Sequence, residues 1–239
     1  MIDKRVASMA EALAGIADGS TVLVGGFGAV GQPNALIDGL IEQGAKDLII
    51  VANNAGMDAK VGLPRLMAAG RARKLVCSFP RGSTVFDELY KAGRIELEVV
   101  PQGTLAERIR AAGAGIPAFY TPTGVGTKLA EGKEQRHVGG RDCILEHALK
   151  ADVALVEAWR ADRWGNLTYK GSGRNFNPVM AAAATLTVVQ SQHIDELGAL
   201  DPEAVVTPGI FVSRVLHVPY GNPPPGNRRA DVARPEAKR

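Results

Sequence analysis

The chain has 239 residues, 46% of them hydrophobic and 22% charged, enough to bury the core of one large α/β domain. No apolar run approaches the roughly 20 residues that a membrane span needs, and the N-terminus lacks a signal-peptide core, so a cytoplasmic protein with no membrane partner is expected. The net charge of +3 resides in residues 219–239, with five Arg/Lys against two acids; the neutral remainder argues against a nucleic-acid partner.

In chain order, Val6, Met9, Ala10, Leu13 and Ile16 mark one helical face over residues 5–17. Thr21, Val22, Leu23 and Val24 follow an Asp-Gly turn signal and read as a buried strand. Then come Gly25, Gly26, Phe27, Gly28, Ala29, Val30 and Gly31, with four glycines in seven residues. Such backbone turns tightly or lies against a ligand with no Cβ in the way. Pro33 suits the first turn of a helix over residues 34–43, which Gly44 closes. Strand, glycine turn and helix N-terminus together make a site for an anionic, phosphate-bearing ligand.

Residues 48–52 are the next strand, 64–69 a short helix, 74–78 the third strand, 84–92 a helix ended by Gly93, and 95–100 a strand. Thr104 opens a further helix with a Thr-x-x-Glu capping box that ends at Glu107. In the second half, residues 134–149 enclose Gly139-Gly140 and read as a β-hairpin. Residues 152–157, 167–169, 185–190 and 209–218 complete the strands, with a small-residue helix over 178–184. The alternation predicts an α/β fold over residues 1–218: an open, mostly parallel, Rossmann-like sheet with helices on both faces and a hairpin insertion. The basic, proline-rich residues 219–239 have little to bury and are expected to be a disordered tail.

Gly26-x-Gly28-x-x-Gly31 also fits a dinucleotide fingerprint, which requires an acid at the end of the next strand. Asn53 and Asn54 stand there instead, and neutral amides suit a carbonyl or thioester better than a ribose diol. Residues 25–31, Asn53-Asn54, residues 78–83 and Gln102-Gly103 each follow a predicted strand, so an open parallel sheet brings them to one carboxyl edge. Turn capping by the asparagines, solvation of Gln102 and simple glycine packing are the alternatives. His137, His147, His193 and His217 show no metal spacing, so no metal is expected. Cys77 has no neighbouring histidine to serve as base and reads as a structural thiol; with Cys143 it gives no disulfide framework. Trp159 and Trp164 read as packing residues.

The run of residues 18–33 resembles the A-chain signature of the class I (3-oxoacid type) coenzyme A transferases, which are built from an A and a B subunit. The resemblance continues through Asn53-Asn54-Ala55-Gly56, Ser78-Phe79-Pro80-Arg81, Phe86-Asp87-Glu88-Leu89-Tyr90 and Pro101-Gln102-Gly103-Thr104-Leu105-Ala106-Glu107-Arg108. It extends through Asp162-Arg163-Trp164-Gly165-Asn166 to Thr207-Pro208-Gly209 and covers about residues 4–218. In this family a glutamate of the B subunit, in a Glu-Asn-Gly motif, attacks the acyl-CoA thioester and becomes a glutamyl-CoA thioester. The chain has no Glu-Asn-Gly, so the resemblance implies an A subunit that is inactive without a B partner, as αβ or α2β2. Glu131 and Glu157 remain the alternative nucleophiles within the chain, though neither sits in the family's motif.

By the same resemblance Gln102 is the oxyanion-hole donor, residues 25–31 hold coenzyme A, and Asn53 with Asn54 lies at the acyl or thioester group. Coenzyme A enters as part of the substrate, with no tightly bound cofactor. Succinyl-CoA is the expected donor and 3-oxoadipate the expected acceptor, acetoacetate being the alternative. Arg81 would then read the distal carboxylate with a guanidinium fork, against a solvated or interfacial loop arginine. A sugar-phosphate-binding module of related fold is the more remote alternative.

Overall fold

A computed structural model describes residues 2–219; the expected tail beyond Pro219 lies outside the described residues. The strands are β1 (Arg5–Val6), β2 (Thr21–Val24), β3 (Leu48–Asn54), β4 (Ala72–Phe79), β5 (Glu96–Val99), β6 (Ala118–Thr121), β7 (Gln135–Val138), β8 (Arg141–His147), β9 (Ala151–Asp162), β10 (Leu167–Thr168), β11 (Ala184–Asp195) and β12 (Arg214–His217). The helices are α1 (Met9–Leu13), α2 (Asn34–Gln43), α3 (Leu63–Ala68), α4 (Thr84–Lys91), α5 (Gln102–Gly113) and α6 (Asn177–Ala181).

The main sheet runs β1-β12-β11-β9-β2-β3-β4-β5, all parallel, with β10 antiparallel on β9. From β2 the chain winds outward through β3, β4 and β5, then returns to lay β9, β11 and β12 on the other side of β2. The winding reverses at β2, and that is where an open sheet leaves a crevice at its carboxyl edge. One apolar cluster joins Leu13 of α1, Leu36, Ile37 and Leu40 of α2, Leu66 of α3 and Phe86 of α4 to one sheet face. The other joins Leu105 and Ile109 of α5 and Met180 of α6 to the opposite face. Both faces are thus covered, as the near-continuous apolar strands require. Each large side chain fully buried in these layers contributes about 1.5–3 kcal/mol.

The expected hairpin is β7–β8, turning at Gly139 and Gly140 with φ of 56° and 78°. It is joined by β6, which pairs antiparallel with β8 to make a separate three-stranded sheet. Helix α2 matches its expected bounds because Gly44 adopts φ 99° and stops it.

Several boundaries differ from the sequence reading. The expected helix over residues 5–17 is shorter: Arg5 and Val6 form an edge strand on β12, and Ser8 caps α1 by accepting from Glu11 N–H at 3.2 Å. The expected capping box at Thr104 does not form. Helix α5 begins two residues earlier, after Pro101 (φ −52°, ψ 140°), and Thr104 is buried in its first turn. Strands β9 and β11 run 12 residues each, well past their expected ends, because they pair with each other along most of that length. The expected strand over 209–218 divides into a 3-10 turn, Gly209–Phe211, and β12.

Candidate active site

Gly25 continues the line of β2, donating its N–H to Leu155 O at 2.9 Å. The loop then closes on itself: Phe27 and Val30 exchange N–H···O bonds of 3.0 and 3.1 Å. Gly26, Gly28 and Gly31 have φ of 115°, 61° and 69°, a region costly for other residues. The side chains of Phe27 and Val30 stand 48% and 45% exposed, so this turn does not serve the core.

Two residues absent from the sequence reading hold the loop in place. Asn175 accepts from Gly26 N–H at 3.1 Å and donates to Val30 O at 3.0 Å. Asn177, fully buried, accepts from Glu157 N–H at 3.0 Å and donates to Gly31 O at 2.9 Å. The only local hint was a polar Asn-Phe-Asn run before a short helix. Nothing near it in sequence announces a partner nearly 150 residues away.

Asn53 and Asn54 are the last two residues of β3 rather than a loop beyond it, and both are buried. Asn53 faces the α5 side with Val51, which lies in the α5 cluster; Ala52 lies in the α2 cluster. Its Nδ2 donates to Gln102 Oε1 at 3.2 Å. Gln102 is the first residue of α5 and is exposed, and its Nε2 has no partner among the described residues. Asn54 points the other way, donating to Gly28 O at 3.4 Å and so tying β3 to the glycine loop. Ser78 lies across from Asn53 in the β3–β4 register, and its hidden hydroxyl also lacks a partner among the described residues. Residues 25–31, Asn53, Asn54 and Gln102 therefore meet at one edge. Arg81 is exposed in the loop two residues past β4, at that same carboxyl edge.

The two candidate glutamates fall elsewhere. Glu131 is exposed beside the 3-10 turn Lys128–Ala130, next to the small sheet. Glu157 alternates with Val156 of the α5 cluster and shares Leu155's face, so it lies on the α2 side of the sheet. Burial pushes its carboxyl up to about 7, opposed by the Gln192 and Gln190 amides that donate to it at 3.1 and 3.3 Å. Gln190 in turn accepts from Leu36 N–H in the first turn of α2. Cys77 is buried on that same face, and burial pushes its thiol up to about 11, which keeps it protonated and unreactive. Trp159 packs edge-on against His193, with Lys170 over its ring, whereas Trp164 is 44% exposed.

A glutamine amide held at the carboxyl edge beside a glycine loop can stabilise negative charge on a carbonyl oxygen close to a bound anionic group. Known proteins resemble the chain that carries this arrangement. It is 60% identical over 220 residues to the A subunit of the 3-oxoadipate CoA-transferase of Pseudomonas putida, covering 91% of this chain and 95% of that one. It is 50% identical over 214 residues to the A subunit of the succinyl-CoA:3-ketoacid coenzyme A transferase of Xanthomonas campestris, covering 89% and 88%. Its fold matches the acyl-CoA transferase of E. coli O157:H7, solved as a thioester complex with CoA, with a TM-score of 0.80 at 23% identity. That match covers 90% of this chain and 47% of the E. coli chain, so this protein spans about half its length. The family model for coenzyme A transferases matches residues 6–217, and the chain belongs to the coenzyme A transferase family.

Proposed function

We propose that this chain is the A subunit of an enzyme that moves coenzyme A from succinyl-CoA to 3-oxoadipate. The observation that carries the reading is the Gln102 amide, held by Asn53 so that its donor end is open at the edge shared with the glycine loop. A glutamate carboxylate on the B subunit first attacks the thioester carbonyl, the carbon–sulfur bond breaks, and an acyl-glutamyl anhydride forms with release of CoA thiolate. The thiolate attacks the anhydride at the glutamyl carbonyl, giving glutamyl-CoA and free succinate. 3-Oxoadipate then reverses the sequence and leaves as its CoA thioester. Each tetrahedral stage places negative charge on an oxygen, and Gln102 Nε2–H donates to it. Residues 25–31 hold the coenzyme A moiety: at Gly28 a missing Cβ leaves open space for a ligand, whereas Gly25, Gly26 and Gly31 lack a Cβ where Asn177, Gln32 and Gly173 pack against them.

The two-subunit assignment is supported by the lack of a Glu-Asn-Gly motif in the sequence and by the placement of Glu157 behind the sheet from Gln102. It fits with a chain spanning half of the E. coli acyl-CoA transferase. Purified alone, the chain is expected to leave succinyl-CoA untouched; mixed with its B partner it should transfer CoA, faster to 3-oxoadipate than to acetoacetate. Turnover by the chain alone overturns the two-subunit assignment. A preference for acetoacetate establishes instead the 3-ketoacid specificity that the Xanthomonas relative's name describes.

The acceptor preference is assigned to Arg81, whose guanidinium is exposed past β4 and is suited to a distal carboxylate. Arg81→Met should cost about 1.5–3 kcal/mol in kcat/KM for 3-oxoadipate, the range for a hydrogen bond to a charged group. Acetoacetate has no second carboxylate and should lose much less. Equal losses with the two acceptors would leave Arg81 a structural residue.

A further inference from the structure

A glutamine side chain can present either end of its amide, and only the NH2 end stabilises an oxyanion. In this fold the choice is made by a chain of hydrogen bonds that begins at the backbone. The Gly56 N–H, which can only donate, bonds Asn54 Oδ1 at 2.7 Å. That fixes Asn54 with its NH2 turned the other way, donating to Gly28 O at 3.4 Å and to Asn53 Oδ1 at 3.2 Å. Asn53 is therefore bound through its oxygen, and its own NH2 donates to Gln102 Oε1 at 3.2 Å. The last member of the series is left with its NH2 facing outward. Asn53 and Asn54 are only 4% and 6% exposed, which leaves them little surface for substrate.

We infer that Asn53 and Asn54 are positioning residues: a relay from the Gly56 N–H through both asparagines fixes the polarity of the Gln102 amide and presents its donor end to the reacting oxygen. The inference rests on the assignment of Gln102 as the oxyanion donor. The same Asn54 amide grips Gly28 O, so the orientation of Gln102 and the position of the coenzyme A loop are set by one side chain.

Reversing one amide should reverse all that follow. Asn54→Asp keeps the bond from Gly56 N–H but puts an acceptor oxygen against Asn53 Oδ1. Asn53 then turns to donate back, its oxygen meets Gln102 Oε1, and Gln102 turns its own oxygen outward. The change is nearly isosteric and adds no bulk. In the assembled two-subunit enzyme, with succinyl-CoA and 3-oxoadipate as substrates, Asn54→Asp should lower kcat roughly 100-fold, as for loss of one oxyanion donor. The KM for succinyl-CoA should rise as well, because the variant loses the bond to Gly28 O and puts a carboxylate beside the coenzyme A loop; the KM-against-kcat split is read from Asn53→Asp, which keeps that bond and should leave KM within about threefold. In a Gln102→Ala background the same substitution should change kcat by less than about threefold, because the relay then has nothing to orient.

Asn53→Asp is the second variant. It reverses Gln102 by accepting from its NH2 while keeping the bond from Asn54, so it does not disturb Gly28, and it should reproduce the kcat loss. Losses that multiply with that of Gln102→Ala would overturn the relay, as would asparagine variants that are silent while Gln102→Ala is costly. A silent Gln102→Ala overturns the oxyanion assignment itself, and the relay's purpose with it.

Discussion

Gln102→Ala in the assembled enzyme is expected to lower kcat by roughly 10²–10³-fold, which is about 3–4 kcal/mol of lost transition-state stabilisation. The size follows from where the donor sits. Gln102 is the first residue of α5, its oxygen is engaged by Asn53, and its NH2 has no partner among the described residues. The donor is worth most when negative charge has developed on the thioester or anhydride oxygen and little while the carbonyl is neutral. The loss should therefore fall on kcat and leave the KM for succinyl-CoA within a few-fold. The substitution removes no core contact, because the side chain is exposed. It does leave the buried Asn53 NH2 without its partner, so the unfolding midpoint should fall by a few degrees. Steady-state kinetics on both half-reactions check this, and an unchanged kcat refutes the assignment.

Gly25→Ala should cost far more stability than Gly28→Ala. A Cβ on Gly25 would overlap Asn177 Oδ1 and lie only 2.7 Å from its Cγ. Asn177 is fully buried and holds both the Glu157 N–H and the Gly31 carbonyl, so it cannot give way without breaking those bonds. Overpacking costs about 1–3 kcal/mol and each buried polar group left unpaired about 1–3 more, so a total of about 3–5 kcal/mol is expected. At roughly 2–4 °C per kcal/mol for a chain of this size, the melting temperature should drop by about 10 °C or more.

Gly28→Ala supplies the contrast. Nothing lies within 4 Å of its Cβ, and only the φ of 61° is unfavourable, so about 1–2 kcal/mol is expected. Thermal melts of the two variants side by side decide the matter. Similar losses would mean that the loop is governed by backbone freedom alone and that Asn177 is not its clamp.

Much of this fold was legible because local chemistry and tertiary structure agree. The apolar runs of β2, β3 and β4 are buried on both faces, so period and composition mark them directly. Gly44 and Gly93 stop α2 and α4 with positive φ that few other residues accept. The alternation of strand and helix implies a parallel sheet with a ligand edge, and residues 25–31 and Gln102 fall at that edge because each follows a strand. Thr104 shows the opposite case. Its spacing to Glu107 imitates a capping box, but Pro101 starts the helix earlier, Thr104 is buried, and Glu107 pairs with Arg110 at 2.6 Å.

What the sequence alone determined was most of the elements, though not β1 or β6, the residues at strand ends, and the absence of a Glu-Asn-Gly motif, all properties of short stretches. What only the tertiary structure decided was which faces and which distant segments those residues meet. The return of β9 to the side of β2 brings Asn175 and Asn177 onto the glycine loop, a consequence of strand order with no local signature. The register of β9 turns Glu157 to the face opposite Gln102, where one residue of shift would have put it beside the site. The direction of the Gln102 amide depends on two local bonds, Gly56 N–H to Asn54 and Asn54 to Asn53, and on the bond from Asn53 to Gln102, 49 residues away, which exists only once β3 and α5 are brought together.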